Sequence, residues 1–268
     1  MLRLLAAAAA SALLAGSMAT PAQAAPAAPK TVELYAIDCG KFPVADADMF
    51  SDDGAYKGVA RTLIVPCYLI RHPKGDLVWD TGIPASKQAL LDGLKQLDLT
   101  PADIEFISVS HSHFDHIGNA GLFAGSTWVV DPDEKAAAFS EAARKNAAQF
   151  AAYSALETSK TRLIEAPTLD LFGDGSVVVH QTPGHTPGHT ILAVKLKTAG
   201  TVLLTGDLWH LAESRAAKRV PRFNFNRADT LKSYEATEAL AAKTKARVVR
   251  EHVMEDFEAL PKFPAALK

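Results

Sequence analysis

The chain has 268 residues, with 28 Lys and Arg against 30 Asp and Glu, for a net charge of −2. That length allows one large core in a single domain. The weak negative charge, with no basic patch interleaved with aromatics, argues against nucleic acid as a partner. At the N-terminus, Met1-Leu2-Arg3 is a short basic start, the run from Leu4 to Leu14 is Ala/Leu apart from Ser11, and Ala22-Gln23-Ala24 is a small-residue cleavage site. Together they predict a secretory signal peptide over residues 1–24 and a periplasmic or secreted mature protein, residues 25–268, folded as one domain. The apolar run is about half of the ~20 residues that a membrane span needs, so no stable anchor is expected. Removing residues 1–24 takes away Arg3 and no other charge, so −2 becomes −3.

Strand-like runs follow at residues 32–37, 62–70, 77–79, 106–109, 127–130, 176–180, 191–196, 202–205 and 248–250. The turn Pro73-Lys74-Gly75-Asp76 reads as a hairpin link. Helical stretches are read over residues 86–94, 134–153 and 228–242, with Asp133 and Asp229 as the expected caps of the second and third. Strands alternating with helices favour a mixed α/β sandwich, two sheets covered by helices on the outside. Residues 42–60, rich in Asp and Gly, read as a long loop of the kind that borders a site, or as a solvated connector.

The densest chemistry is Ser110-His111-Ser112-His113-Phe114-Asp115-His116, just after the run 106–109. Imidazole nitrogen and carboxylate oxygen are the ligands that borderline and hard divalent metals take. Three further strand ends carry the same chemistry. Thr182-Pro183-Gly184-His185 follows the strand 176–180, and its Pro and Gly force a sharp turn. Asp207 closes the apolar run from Val202, and His252 follows the last strand. The seven candidate ligands are His111, His113, Asp115, His116, His185, Asp207 and His252. That number suits two divalent ions sharing a carboxylate, zinc by default, although such ligation also accepts cobalt, manganese or iron.

His111-x-His113-x-Asp115-His116, with His185, Asp207 and His252 downstream and Asp80-Thr81-Gly82 upstream, resembles the metallo-β-lactamase fold superfamily. Within it the chain is most similar to the N-acyl-homoserine lactonases, through Asp38-Cys39-Gly40, Val65-Pro66-Cys67-Tyr68, Trp79-Asp80-Thr81-Gly82, Thr182 to His189 and Gly206-Asp207-Leu208. The resemblance implies a four-layered αβ/βα sandwich and a dinuclear hydrolase. His111, His113 and His185 would hold one metal, Asp115, His116 and His252 the other, and Asp207 would bridge them. His189 and Asp80 would orient ligands from behind. The implied substrate is a small lactone with an acyl chain, and a homodimer stays open. Asp207 sets the chain apart from the true β-lactamases, which have Cys or Ser there.

Many of these lactonases place tyrosine three residues after the bridging Asp. Here that position is His210, which can serve as hydrogen-bond donor or proton carrier beside Asp115, or stand idle at the rim. The family's usual aspartate after the last ligand is replaced by Val253. Met49, Phe50, Trp209, Phe223 and Phe225 are candidates for an apolar groove, with ordinary packing as the alternative. Export permits a disulfide between the two cysteines, Cys39 and Cys67, and two buried thiols are the other reading. Phosphotriesterases resembling methyl parathion hydrolase, thioesterases and a metal-binding module without catalysis are the competing readings. An open bridging position argues against the last, because structural metal sites are usually closed.

Overall fold

A computed structural model describes residues 26–268; the expected leader, residues 1–24, lies outside the described residues. The first sheet has six strands in chain order: β1 (Glu33–Val44), β2 (Arg61–His72), β3 (Gly75–Trp79), β4 (Phe106–Ser108), β5 (Thr127–Val130) and β6 (Thr161–Leu163). The first three pair antiparallel and the rest parallel. The second sheet has five, ordered β11-β10-β9-β8-β7, built from β7 (Thr168–Asp170), β8 (Val177–Gln181), β9 (Thr190–Leu196), β10 (Gly200–Leu204) and β11 (Arg247–Val249). Only its β10–β11 pair is parallel.

Period-two alternation decides the layers. In β1, Leu34 and Ala36 face the second sheet and meet Val179, Leu192 and Val202, while Tyr35 and Ile37 face the opposite way onto Leu90 and Leu94. Those leucines belong to α1 (Lys87–Gln96). In β9, Leu192 and Val194 point between the sheets, and Ala193 points out against Ala241 of α6 (Arg227–Thr244). Both outer faces are therefore covered, and the expected four-layer α/β sandwich is borne out. The short helices are α2 (Pro132–Ala138), α3 (Glu141–Lys145), α4 (Ala147–Ala151), α5 (Ala212–Ala217) and α7 (Met254–Glu258). Among the described residues no helix is long and apolar enough to cross a membrane.

Several sequence expectations need correction. The single helix over 134–153 is three short ones, because Ser140 and Asn146 each turn a side chain back onto the main chain and start a new helix. The caps of α2 and α6 are Asp131 and Asn226, each two or three residues ahead of the expected Asp133 and Asp229. Two three-residue strands, β6 and β7, lack any alternation long enough to read. β1 runs on to Val44 through a bulge between Asp38 and Lys41, so only residues 45–60 are loop.

Cys39 and Cys67 are joined by a disulfide, with Cys39 at that bulge on β1 and Cys67 on neighbouring β2. The bridge spans a sequence separation of 28 residues. A loop of that length should make it worth about 3 kcal/mol through the unfolded chain. Cys39→Ser with Cys67→Ser should lower the urea-unfolding free energy by about 2–4 kcal/mol, and the intact mass of the unmodified protein should rise by two hydrogens on reduction.

Candidate metal centre

All the ligand-bearing loops leave the C-terminal ends of strands that run the same way within each sheet: β3 and β4 in one, β8, β10 and β11 in the other. The two sheets thus deliver their loops to one edge of the sandwich. Asp80, after β3, adopts φ 53°, a left-handed conformation that Asp tolerates better than most residues. There its carboxylate accepts from Ser110 N (2.7 Å) and faces His116 Nδ1 (3.1 Å). Thr81 ties down the loop from both directions: its N–H and hydroxyl donate to His116 O, at 2.6 and 2.8 Å, and its hydroxyl and carbonyl accept from Asn119, at 3.1 and 2.8 Å. The Asp-Thr-Gly element is therefore a fastening for the histidine loop. Gly206 approaches that loop so closely that a Cβ would lie 2.5 Å from Ser110 Cβ and 2.9 Å from His189 Nε2.

The structure brings all seven candidate ligands together. The ligand atoms of His111, His113, His185 and Asp207 lie within 4.8 Å of one another, as do those of Asp115, His116 and His252. Asp207 stands between the two groups. Its Oδ1 is 2.8 Å from His252 Nε2 and 3.1 Å from His116 Nε2, while its Oδ2 is 3.3 Å from His185 Nε2 and 3.5 Å from His111 Nε2. Each carboxylate oxygen serves one group.

The donor set fits divalent cations. Asp207 Oδ1 and His116 Nε2 are fully buried and make no hydrogen bond despite their separation, so their lone pairs converge without being spent on each other. The outer nitrogens are committed elsewhere. His252 Nδ1 donates to Ile64 O (2.9 Å), and His116 Nδ1 faces Asp80, which leaves both Nε2 atoms directed inward. Burial and the neighbouring imidazoles hold His111 far below the usual histidine range, and burial with His185 holds His113 down at about 4. Neutral rings with free lone pairs are what a metal requires. Burial opposes charge on His116 and His252, but Asp207 outweighs it and raises both, His252 to about 9. Burial also works against ionised Asp207, and His210 and His116 overcome it, so the carboxylate stays charged.

His189 is not among the converging atoms. Its Nε2 accepts the Asp207 N–H at 3.2 Å and its Nδ1 lies 2.9 Å from Thr182 Oγ1, so it braces the main chain of Asp207. His210 Nε2 is 3.0 Å from Asp207 Oδ2, is buried without a hydrogen bond, and its ring stacks on Phe50 at 4.9 Å. His210 and Asp115 both line a cavity of about 280 Å³ that reaches His113, Asp207 and His252 and is otherwise walled by Phe42, Val44, Met49, Phe50, Leu63, Phe114 and Phe223. Of the five expected groove residues, Met49, Phe50 and Phe223 are there. Trp209 is instead packed under α6 against Tyr234, at 5.1 Å, because it points to the opposite side of the chain from His210. Phe225 lies outside the cavity, exposed beside Pro183 and Pro187. A larger cavity of about 700 Å³, between β1, α1 and the C-terminal segment, holds none of the candidate residues.

Two acidic residues escaped the sequence reading. Glu134, 1 % exposed, accepts from Ser112 N (2.7 Å), Ser112 Oγ (2.6 Å), Thr186 Oγ1 (2.6 Å) and Gly188 N (3.3 Å). It clamps the His111–His113 loop to the His185 loop. Burial raises its pKa, and those hydrogen bonds oppose the rise. In sequence it is one glutamate in the first turn of a helix, a signal shared with many surface residues. Glu251 is buried beside Asp80 and His116 with neither oxygen hydrogen-bonded, and burial together with Asp80 raises its pKa well above normal. Only its neighbour His252 drew attention in the sequence.

Two outcomes are expected. Elemental analysis of metal-replete protein should give about two divalent ions per chain, and Asp207→Ala should leave one or none. Glu134→Ala strands four buried donors, so it should weaken metal binding by about 10–100-fold in a chelator-competition titration and lower unfolding stability by about 3 kcal/mol or more. Glu134→Gln, which retains one acceptor oxygen, should fall between.

Residues 60–252 match the family model of the Metallo-beta-lactamase superfamily. The chain is 28% identical over 268 residues to N-acyl homoserine lactonase AttM of Rhizobium radiobacter, covering 87% of this chain and 99% of that one. It is 29% identical over 229 residues to an N-acyl homoserine lactonase of a Bacillus species, covering 75% and 86%. Among solved structures, a quorum-quenching N-acyl homoserine lactone lactonase superposes with TM-score 0.75 at 26% identity, over 90% of this chain and all of that one. A hydrolase of N-acyl homoserine lactone, solved with the product N-hexanoyl-L-homoserine at its catalytic metal centre, gives TM-score 0.74 at 25% identity over 88% and 98%. With the family model matched over residues 60–252, a range that takes in all seven candidate ligands, the chain belongs to the metallo-β-lactamase superfamily of hydrolases and is similar along nearly its whole described length to the N-acyl homoserine lactonases.

Proposed function

We propose that the chain is an exported dinuclear hydrolase that opens the lactone ring of N-acyl homoserine lactones. The observation that carries this reading is Asp207, whose two oxygens face separate nitrogen groups at the floor of an apolar cavity. His111, His113 and His185 would hold one cation and Asp115, His116 and His252 the other, with Asp207 shared. Two divalent cations there, zinc by default, would supply a hydroxide nucleophile at neutral pH and a Lewis acid for the carbonyl.

The protein's own residues do the rest. The apolar walls exclude water around the acyl chain and leave the polar ring at the floor, where all the charged groups lie. His210 lines the cavity with its ring stacked on Phe50 and its Nε2 3.0 Å from Asp207 Oδ2, and from there it can donate to the carbonyl oxygen or pass a proton to the ring oxygen as the C–O bond breaks. Asp115 borders the same space and can carry that proton. A cavity of about 280 Å³ with mostly apolar walls and a polar floor suits an amphiphile.

A panel of acyl-homoserine lactones, a paraoxon-type triester, a glutathione thioester and a β-lactam, offered to one metal-replete preparation, tests the reading. The lactones should turn over best, giving a product heavier by one water. Preferred turnover of the triester would sink it. His210→Ala should lower kcat by about 10²–10⁴-fold with both metals retained. His210→Tyr should restore part of the loss if the role is hydrogen-bond donation. Near wild-type kcat in His210→Ala would make this histidine a bystander. Export is part of the proposal and rests on residues 1–24. N-terminal sequencing of the protein from the periplasm or medium should begin near Ala25, and soluble cytosolic protein retaining Met1 would refute it.

A further inference from the structure

The wall of the cavity is made by two segments far apart in the chain. Residues 46–58 bring Met49 and Phe50, and residues 219–227 bring Phe223, which meets Phe50 edge-on at 5.7 Å. Phe50 is buried in a cluster with Ala47, Tyr56, Leu63 and Leu211, but Met49 is 46% and Phe223 40% exposed, so apolar burial fixes the contact between the two segments only in part. Charge joins the segments as well. The Arg222 main-chain N–H donates to Met49 O (2.9 Å), its Nε donates to Ser51 O (3.2 Å), and its guanidinium pairs with Asp48. Arg227 Nε donates to Asp52 Oδ2 at 2.5 Å, and Arg219 Nε donates to Asp53 at 3.0 Å with its guanidinium 5.0 Å over the Tyr56 ring. Three arginines of one segment meet three aspartates of the other, one for one.

We propose that Arg222, flanked by Arg219 and Arg227, is a positioning residue for substrate selection: an ionic clasp that holds Met49 and Phe50 against Phe223 and so sets how well the cavity grips a long acyl chain. The proposal rests on the lactonase reading for its substrate, but the clasp itself can be tested without turnover. A single exposed ion pair contributes little and is screened by salt. Arg222 is different in that its side chain also satisfies a main-chain carbonyl of the partner segment. The wall then depends on ionic strength, whereas the ligand loops, fastened by buried hydrogen bonds such as those of Glu134, do not.

Hydrogen–deuterium exchange on the metal-replete protein reads the clasp directly. Amides of residues 47–59 should exchange about 3- to 10-fold faster in Arg222→Ala, the size expected for one screened pair plus a main-chain bond. The unmodified protein should shift the same way between about 0.02 and 0.5 M NaCl, and this salt series stands even if the variant fails to fold. Arg222→Lys, which keeps the charge but not the fork, should fall between. Exchange that changes less than about twofold in both arms overturns the clasp. The companion readout is the ratio of kcat/KM for decanoyl- over butanoyl-homoserine lactone, which should drop by a similar factor in Arg222→Ala, through KM for the longer chain. An unchanged ratio alongside faster exchange overturns the selection role. If neither lactone is hydrolysed by the unmodified enzyme, the lactonase reading and the selection role fail together, while the exchange result still decides whether the clasp exists.

Discussion

Asp207 is a buried carboxylate with five imidazoles within 3.5 Å: those of His111, His116, His185, His210 and His252. Removing a charge from water is costly unless it is paired and its lone pairs are used. Here His210, His116 and His252 favour the charge by proximity while Oδ1 keeps its lone pairs unspent, and the rings stand in two sets, one per oxygen. The remaining architecture can be understood as what it takes to bring those rings to one point. Strands running in the same direction in each sheet send their loops to a common edge, and a close-packed core between the sheets fixes the distance between those loops.

Converging ligands repel one another unless something behind holds them. Asp80 takes an unfavourable backbone conformation to reach both Ser110 and His116. His189 spends its ring on the Asp207 main chain, and Glu134 spends all its capacity on two loops. These buried supports set the ligands within a narrow range, as a metal site demands. The pocket wall is built differently: Phe50 and Leu63 are buried, but Met49, Phe114 and Phe223 are half-exposed, and surface ion pairs join the segments that carry Met49 and Phe223.

Much of this was legible from residues alone where the signal was local. A histidine-rich loop after an apolar run, a Pro-Gly turn before His185 and a carboxylate closing a strand each announce themselves within a few positions, and the structure assembles all seven. The long alternating strands and the helix 227–244 could be read for the same reason. The broken helix 132–151 could not, because propensity does not weigh Ser140 and Asn146 as restarts until their side chains find the main chain. β6 and β7 are too short to show a period and exist because neighbouring strands offer them partners.

Residue identity alone supplies the available chemistry: which atoms could bind metal, that a carboxylate and not a thiol stands at position 207, and that a histidine occupies position 210. Tertiary structure alone decided which residues share a space. Glu134 became a clamp and Phe42, Val44, Leu63 and Phe114 became pocket wall only when loops from different strands met, and Trp209 left the pocket for the core because its neighbour His210 took the inward side. Ligand type is a property of one side chain and travels with its letter. Packing is a property of pairs distant in the chain, and no local pattern encodes it.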